Sequence, residues 1–358
     1  MFKVMGILRK TANTVRGFFA FAESFKEWGL VDYLKDPWKV HRGFTKEMVE
    51  LCGINRSNQK EFISDREHNS RWPFNRPYHG AVSDKLALIR ILHQYKECMP
   101  KYYFFIDKHG LLPLWDCPDD GSLSTRMDAD AFVKLLDREK ILVIKPTHSE
   151  VGIGVMVAQK KGEIYSINNE EYTIAEMKEC IGQAYNNIVT EYVIQHDYAR
   201  KICPTSLNTI RMLGVWNSET KQFDIIRSFH RFGCNGNVVD NVGSGNGVLV
   251  YVNTETGILE RDGLINTKKE GDRRVDHIIH PDNNIKLTGL VIPGYLDMKE
   301  KVLKIMNENS YLRYIGFDVA ITDDGFRIIE ANGSSTPTVA QVRGGFLKDK
   351  RMRELFNL

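Results

Sequence analysis

Residues Gly316–Asn332 read GFDVAITDDGFRIIEAN. On both sides of the turn Asp323–Gly325, apolar residues alternate with polar ones, as they do in strands that bury one face. We therefore predict a β-hairpin with a three-residue loop, in which Gly325 takes the left-handed backbone conformation that such loops need. In that register Thr322 pairs with Phe326.

Three polar side chains share one face of this predicted hairpin. The register puts Asp318 directly opposite Glu330, and strand alternation puts Asn332 on the same face, one step along from Glu330. Two carboxylates about 5 Å apart on a sheet repel each other unless a positive charge lies between them. Oxygen ligands of this kind suit Mg²⁺ shared with phosphates. The alternative is that both acids face solvent or pair with Arg or Lys, as exposed carboxylates usually do.

A lysine ends an apolar strand upstream of the hairpin. Lys145 closes the run Ile141–Lys145, and a loop with Gly152 and Gly154 leads from it to the next strand, Val155–Gln159. A loop between two strands is neither a P-loop nor a Rossmann turn, because each of those leads into a helix. Its amides and the ammonium group could share the charge of a triphosphate, and a plain turn is the simpler alternative.

Two further segments carry groups that suit a nucleotide. Lys85 is predicted in the first turn of a helix capped by Ser83, where a cation gains nothing unless an anion binds there. A solvated surface lysine is the alternative. The strand Ile188–Ile194 contains Glu191 and precedes Asp197, so it could offer backbone groups to a purine and a carboxylate to a ribose. A core strand that runs into a polar loop explains this pattern equally well.

Arginines lie on two later predicted strands. Arg211 belongs to Ser206–Trp216, and Arg227 and Arg231 share one face of Phe223–Phe232. Three arginines near a phosphate-transfer site suit a carboxylate substrate and its acyl phosphate, so we expect them to be catalytic. Surface ion pairs are the alternative for at least one of them.

The composition is that of an ordinary globular protein, and the chain is longer than one hydrophobic core usually organises. The 358 residues include 42% hydrophobic and 27% charged ones, and the net charge of +3 shows no basic excess that would indicate nucleic-acid binding. The six cysteines show neither zinc spacing nor a disulfide framework, which favours a reducing cytoplasm. The pattern of residues 1–22 predicts a basic amphipathic helix that packs on the rest of the protein. The alternative is that this helix contacts an anionic membrane surface.

The order of the motifs resembles the ATP-grasp superfamily. In chain order the motif residues are Lys85, Lys145, Glu191, Asp318, Glu330 and Asn332. The stretches Ser206–Arg211, Val239–Asn241 and Ile315–Asp318 are similar in particular to the sugar-transfer-associated ATP-grasp group, which is linked with surface polysaccharide synthesis. The resemblance covers residues 82–344, and its most specific part is the hairpin.

This resemblance implies an α+β fold in which two α+β lobes enclose the nucleotide behind a mostly helical N-terminal region. The expected units are the helical region 1–80, an N-terminal ATP-grasp segment 81–140, a small lobe 141–200 with the glycine loop and adenine hinge, and a large lobe 201–358 with the metal site. The implied cofactors are ATP and Mg²⁺.

The resemblance also assigns roles to single residues. The ATP-binding group is Lys85, Lys145, Gly152 and Gly154 at the phosphates, Glu191, Tyr192 and Val193 at the adenine hinge, and Asp197 at the ribose. The metal-binding group is Asp318, Glu330 and Asn332, which would hold one or two Mg²⁺ ions.

The expected activity is that of an ATP-dependent ligase. It would activate a carboxylate as an acyl phosphate and join it to an amine or hydroxyl in the synthesis of a cell-surface polysaccharide or glycoconjugate, with a small-molecule or sugar-linked carboxylate as substrate. The alternative is an ATP-grasp kinase that phosphorylates a sugar or another small acceptor. The intact acidic hairpin disfavours a regulatory module that only binds nucleotide.

Overall fold

The computed structural model describes residues 22, 24–71, 74–118, 125–148, 152–237, 239–240, 246–267, 271–333, 335 and 337–358. These residues form a helical N-terminal region and two α+β lobes, each built on a seven-stranded antiparallel sheet. The predicted fold class is confirmed. The predicted amphipathic segment 1–22 lies, apart from Ala22, outside the described residues.

The N-terminal region is a series of short helices. They are α1 (24–35), α2 (Pro37–Arg42), α3 (Lys46–Cys52), α4 (Asp65–Arg71) and α5 (His79–Ser83). Local sequence explains their ends: α2 begins at Pro37 and stops at Gly43, whose φ of 76° is left-handed. The hydroxyl of Thr45 caps α3 by accepting from the amide of Met48.

The small lobe holds the first sheet and its helices. Its elements are α6 (Lys85–Ile91), a 3₁₀ turn (His93–Cys98), β1 (Tyr102–Asp107), β2 (Gly110–Pro113), α7 (Ala129–Glu139), β3 (Ile141–Pro146), β4 (Met156–Lys161), β5 (Ile164–Ile167), β6 (Glu170–Tyr172), α8 (Ile174–Gln183) and β7 (Asn187–Glu191). The strand order is β2-β1-β7-β3-β4-β5-β6. The predicted boundary at residue 140 therefore runs between strands of one sheet, because β1 pairs with β7.

Helices α7 and α8 cover one face of this sheet. Phe132 and Leu136 of α7 and Ile181 of α8 pack on Leu142 and Ile144 of β3, and all five are fully buried. Helix α8 begins with a capping box, in which Thr173 and Glu176 form reciprocal bonds. This packing fixes the strand that carries Lys145.

The large lobe holds the second sheet. Its elements are α9 (Asp197–Ile202), β8 (Thr209–Asn217), β9 (Gln222–Gly233), β10 (Asn246–Val252), β11 (Leu259–Thr267), β12 (Gly271–Asp276), α10 (Tyr295–Glu308), β13 (Tyr314–Thr322), β14 (Gly325–Asn332), α11 (Pro337–Gln341), a 3₁₀ turn (Phe346–Lys348) and α12 (Lys350–Leu355). The strand order is β12-β11-β10-β9-β8-β13-β14. This order places β9, β8, β13 and β14 side by side.

Different parts of the chain cover the two faces of the large sheet. On one face, Ile210 and Met212 of β8 pack in the same core as Val302 of α10. Arg211 lies between them in sequence and so faces the other side. On that side Phe229 of β9 packs with Met48 of α3. The N-terminal helices therefore flank the face that carries the arginines.

The hairpin has the predicted pairing of its acids but a different turn. Thr322 pairs with Gly325 and not with Phe326, so the loop has two residues, and Gly325 has a φ of 132°. A β-bulge next to Asp318 inserts one residue into β14 and shifts the register back. As a result Asp318 lies opposite Glu330, as predicted, for a reason that the sequence pattern did not reveal.

Two observations bear on the environment of the chain. Within the described ranges, no helix is both long enough and apolar enough to cross a membrane. All six cysteines are free thiols.

Candidate functional site

Asp318 is a buried carboxylate held by two arginines. It lies opposite Arg211 of β8 on one side and opposite Glu330 of β14 on the other. Its oxygens accept hydrogen bonds from Nε of Arg211 and from Nη2 of Arg211 at 2.8 Å, and one of them forms an ion pair with Nη2 of Arg231 at 2.9 Å. Burial alone would raise the pKa of Asp318, but the two guanidinium charges outweigh it and hold that pKa far below its usual range. Pairing with arginine is thus the state of this acid in the structure.

A second buried acid, Asp240, lies beside Arg231. Arg231 is 9% exposed and forms an ion pair with Asp240 at 3.6 Å. The backbone amide of Thr209 donates to Asp240 at 2.7 Å, and the guanidinium of Arg231 donates to the hydroxyl of Thr209. Burial raises the pKa of Asp240 although Arg231 opposes that effect. Arg211, Asp318, Arg231 and Asp240 therefore form one alternating chain of charges, which we call the arginine network.

The third predicted arginine lies apart from this network. Arg227 is on the same strand as Arg231, but its Nε donates to the carbonyl of Ala340 at 3.1 Å and its Nη2 to the carbonyl of Gly344 at 3.2 Å. These carbonyls belong to the C-terminal segment that packs on this part of the sheet. The structure therefore brings Arg211 and Arg231 together and leaves Arg227 out.

Glu330 connects the hairpin to a lysine of helix α6. The ammonium group of Lys85 lies 3.6 Å from a carboxylate oxygen of Glu330, and the side-chain amide of Asn332 donates to Glu330 at 3.3 Å. Partial burial and then the charge of Asp318 raise the pKa of Glu330, while Lys85 opposes the rise. The two acids thus have opposite pKa shifts, because the arginines lie on Asp318 and not on Glu330.

Lys85 and Lys145 come together from two different elements, and each is 6% exposed. Lys85 is the first residue of α6, whose cap is Asp84 rather than the predicted Ser83. Its backbone amide donates to the carbonyl of Thr147, just beyond β3, at 3.0 Å. Burial, and then the charge of Lys85, lower the pKa of Lys145 to about 8, and Glu330 opposes this shift. We call Lys85 and Lys145 the lysine pair.

Tyr102 lies beside Lys145 and was not predicted as a site residue. The ammonium group of Lys145 lies 5.7 Å from the centre of the Tyr102 ring, within cation–π range. Burial raises the pKa of Tyr102, and the charge of Glu330 adds to this effect. No local sequence pattern indicates this contact, because it depends on the strand order of the small lobe, in which only β7 lies between β1 and β3.

The glycine loop reaches the large lobe. Residues 149–151 lie outside the described residues, while Gly152 and Gly154 have left-handed φ values of 73° and 79°. A side chain at Gly152 would overlap with that of Val239, the neighbour of Asp240. The loops that follow β3 and β9 therefore approach each other across the cleft, and Gly152 permits that approach.

The predicted adenine hinge joins the lobes. The strand β7 ends at Glu191, earlier than predicted, and Tyr192 and Val193 follow it outside any helix or strand. The amide of His196 donates to the carbonyl of Ile321 in the large sheet at 2.8 Å. Asp197 is the first residue of α9 and forms an ion pair with Arg200. A carboxylate oxygen of Glu191 lies 3.9 Å from Nε of Arg327 of β14.

The N-terminal region, for which the sequence predicted no chemistry, supports the hairpin. The buried side-chain amide of Asn75 donates to the carbonyl of Tyr314 at 2.6 Å and to that of Gly333 at 3.2 Å. Its oxygen accepts from the amide of Arg313 at 2.8 Å. Asn75 thereby ties the start of β13 to the residue that follows Asn332.

A family model described as sugar-transfer associated ATP-grasp matches residues 68–353. The chain belongs to this family. The match includes both sheets, the lysine pair and the arginine network, and it begins within α4 of the N-terminal helical region. No curated protein sequence matches the chain significantly.

Solved structures similar to this ATP-grasp chain include ligases of low sequence identity. D-alanyl-alanine synthetase A from Vibrio cholerae is 10% identical with a TM-score of 0.43, and the match covers 77% of this chain and 64% of that one. The ATP-grasp ligase PsnB with a minimal precursor is also 10% identical with a TM-score of 0.40, covering 79% and 62%. The ADP complex of N5-carboxyaminoimidazole ribonucleotide synthetase is 8% identical with a TM-score of 0.38, covering 72% and 46%. The chain thus spans less than two thirds of the length of each of these three proteins.

The hairpin of this ATP-grasp chain fits a magnesium ion that is shared with phosphates. Within the described residues, no three His, Cys, Asp or Glu side chains cluster as a metal cage made by the protein alone would require. Asp318, Glu330 and Asn332 nevertheless offer carboxylate and amide oxygens on one face. Mg²⁺ usually takes one or two carboxylates and leaves its other positions to water and substrate phosphates.

Proposed function

We propose that this ATP-grasp chain is an ATP-dependent ligase that activates a carboxylate as an acyl phosphate and couples it to an amine or hydroxyl. The supporting observation is that Lys85 and Lys145 meet Glu330 beside the arginine-bound Asp318. Buried ammonium groups beside a partly exposed acid suit a triphosphate whose charge is shared between lysines and a metal ion.

The nucleotide would lie between the lobes, with its triphosphate at the lysine pair. The lowered pKa of Lys145 shows that its charge is disfavoured before an anion binds. The proposed ATP contacts are Lys85, Lys145, Gly152 and Gly154 for the phosphates, Glu191, Tyr192 and Val193 for the adenine, and Asp197 for the ribose. The link between His196 and Ile321 would keep the adenine hinge in register with the hairpin.

The metal would be held by Asp318, Glu330 and Asn332. Mg²⁺, when bound, neutralises charge on the β- and γ-phosphates. Glu330 is the principal ligand in this proposal, because Asp318 is committed to Arg211 and Arg231 and Glu330 is not. The raised pKa of Glu330 fits a group whose charge requires a cation.

Arg211 and Arg231 are the proposed catalytic residues. A carboxylate oxygen of the substrate attacks the γ-phosphorus, ADP leaves, and the amine or hydroxyl then displaces phosphate from the acyl group. Each step places negative charge on oxygens, which guanidinium groups that are already oriented would stabilise. Asp318 orients both groups. Arg227 instead binds the C-terminal segment, so we propose a structural role for it.

Water must be kept from the acyl phosphate until the nucleophile arrives. The close approach of Gly152 to Val239 supports the proposal that these two positions help to shield the reacting groups from water. The predicted closing loops Thr147–Gly154 and Asp240–Gly247 lie partly outside the described residues. The family name supports a role in cell-surface polysaccharide or glycoconjugate synthesis, with a small or sugar-linked carboxylate as substrate. We propose a cytoplasmic location, in line with the six free thiols.

The test is incubation of the protein with ATP, Mg²⁺ and pooled carboxylates, with and without pooled amines, while ADP, AMP and mass changes are followed. ADP formation that requires both a carboxylate and a nucleophile would support the ligase. A stable phosphorylated acceptor would show a kinase instead. Formation of AMP and pyrophosphate would rule out attack at the γ-phosphorus.

A further inference from the structure

Tyr102 carries a buried hydroxyl group that has no partner among the described residues. The residue is 1% exposed, and none of the described groups lies within hydrogen-bonding distance of its hydroxyl oxygen. Buried polar groups of folded proteins are nearly always hydrogen-bonded, because burial without a partner is unfavourable. A buried hydroxyl of this kind at the edge of a proposed binding site is a candidate contact for a ligand.

Tyr102 lies on the face of the small sheet that carries Lys145. It packs in the same core as Ile188 of β7, and Ile188 lies directly opposite Lys145 of β3. Residues directly opposite each other on paired strands share one face. The next residue, Tyr103, packs instead with Phe132 of α7 in the core on the other side. The two neighbouring tyrosines therefore lie on opposite faces of the small sheet.

Charged groups of the proposed nucleotide site lie near the Tyr102 phenol. The ammonium group of Lys145 lies 5.7 Å from the centre of the ring. Burial, and then the charge of Glu330, raise the pKa of Tyr102, and Asp116 and Glu191 add to this effect. The phenol therefore keeps its proton at neutral pH and can donate a hydrogen bond. Its missing partner is an acceptor.

An anionic oxygen is the acceptor that suits this position. The ammonium group of Lys145 lies beside the phenol, and the charge of Lys85 acts on Lys145. A negatively charged ligand oxygen is attracted by the ammonium groups and accepts from the O–H group at the same time. Phosphate groups carry several such oxygens, and the proposed nucleotide has its phosphates at the lysine pair.

We propose that Tyr102 is a further nucleotide-binding residue, whose hydroxyl donates a hydrogen bond to a phosphate oxygen of the bound nucleotide while its ring faces the ammonium group of Lys145. This inference rests on the proposed function, because it requires nucleotide phosphates at the lysine pair. The hydroxyl gains its partner only in the complex. Removing it should therefore have opposite effects on the free protein and on the complex.

The substitution Tyr102→Phe tests the proposal, because it removes the hydroxyl and keeps the ring beside Lys145. The ligand-free variant should be at least as stable as the wild type, since it loses an unpaired buried polar group. Its affinity for ADP with Mg²⁺ should fall by about tenfold, since the complex loses a hydrogen bond to a charged acceptor. Denaturant unfolding of the ligand-free protein and calorimetric titration with ADP and Mg²⁺ measure the two effects.

Tyr103→Phe is the control for this test. It removes the same group from the neighbouring residue, on the face covered by α7 and α8, and should bind ADP with Mg²⁺ like the wild type. Equal affinities of Tyr102→Phe and the wild type would overturn the inference and leave the proposed nucleotide site unaffected.

Two other results would also count against the inference. If ligand-free Tyr102→Phe unfolded at a lower denaturant concentration than the wild type, or failed to fold, the hydroxyl would have a partner in the free protein. If the wild type itself bound no ADP in the presence of Mg²⁺, the proposed function would be overturned, and this inference with it.

Discussion

The lysine pair and the arginine network are two cationic regions that share a carboxylate hairpin but differ in how their charges are balanced. In the arginine network, burial alone would lower the pKa of Arg231, yet Asp240 and Asp318 raise it above its usual range. In the lysine pair, burial and the neighbouring Lys85 lower the pKa of Lys145 to about 8. The protein itself stabilises the guanidinium charges, whereas the ammonium charge of Lys145 is stabilised less by the protein than by water.

Because of this difference, we propose that the arginine network supports the fold and that the lysine pair binds a ligand. A buried charge that has its counter-ions supports the fold and orients its neighbours, and removing a partner is costly. A buried charge that lacks compensation is unfavourable until a ligand of opposite sign arrives. We therefore expect changes in the arginine network to lower stability as well as turnover, and changes around the lysine pair to act mainly on nucleotide binding and turnover.

The largest effect is expected from Asp318→Asn. The substitution leaves Arg211 and Arg231 buried without their shared carboxylate, so the free energy of unfolding should fall by about 3–5 kcal/mol. Denaturant unfolding measures this. The control Glu255→Gln removes an exposed partner of Lys299 and should leave the midpoint unchanged. An Asp318→Asn protein as stable as the wild type would show that the network does not depend on Asp318.

Glu330→Gln should abolish turnover while the fold stays intact. The amide keeps the shape of the side chain but removes the charge that we propose for the metal, and a loss on the order of a hundred- to a thousandfold in the rate of ATP turnover is expected. The ADP assay measures the rate, and circular dichroism checks the fold. Wild-type turnover in this variant would remove Glu330 from the metal site.

Lys145→Ala should weaken ATP binding without loss of stability. Removing one charge-assisted contact corresponds to about 1.5–3 kcal/mol, or roughly ten- to a hundredfold in affinity. Calorimetric titration with ATP and Mg²⁺ measures it. Lys160, which pairs with Asp137 on the small lobe, provides the control Lys160→Ala, for which affinity should not change. Unchanged affinity in the Lys145 variant would take this residue out of the nucleotide site.

The smallest expected effect is a dependence of stability on pH. Below about pH 8, Lys145 is charged both folded and unfolded, so the penalty for its burial is complete. As the pH rises above about 8, the folded protein releases the proton first, and the ligand-free protein should gain about 1 kcal/mol per pH unit from this residue toward pH 10.5. Comparing unfolding of wild type and Lys145→Met at pH 7, 8 and 9 isolates the effect. If the free energy of unfolding changed equally with pH in the two proteins, the lowered pKa of Lys145 would be contradicted.

Local sequence patterns predict the hairpin, the strand before Lys145 and the side to which their residues point. Alternation in Gly316–Asn332 placed Asp318, Glu330 and Asn332 on one face, and the apolar run before Lys145 placed that lysine at the end of a strand. These properties are local, because strand periodicity and turn residues act over a few neighbours. The opposition of Asp318 and Glu330 was predicted correctly although a shorter turn and a bulge replaced the assumed loop.

Which charges meet depends on the order of the strands in the folded protein. Arg211, Arg231 and Asp318 come together because β9, β8 and β13 are neighbours in the sheet, while Arg227 shares their face and turns to the carbonyls of Ala340 and Gly344. Strand order is set by the burial of whole apolar faces between segments far apart in sequence, which no local pattern records. For the same reason no local pattern showed the burial of Lys85 beside Glu330, and none decided that Asp318 pairs with Arg211 and Arg231 rather than facing solvent.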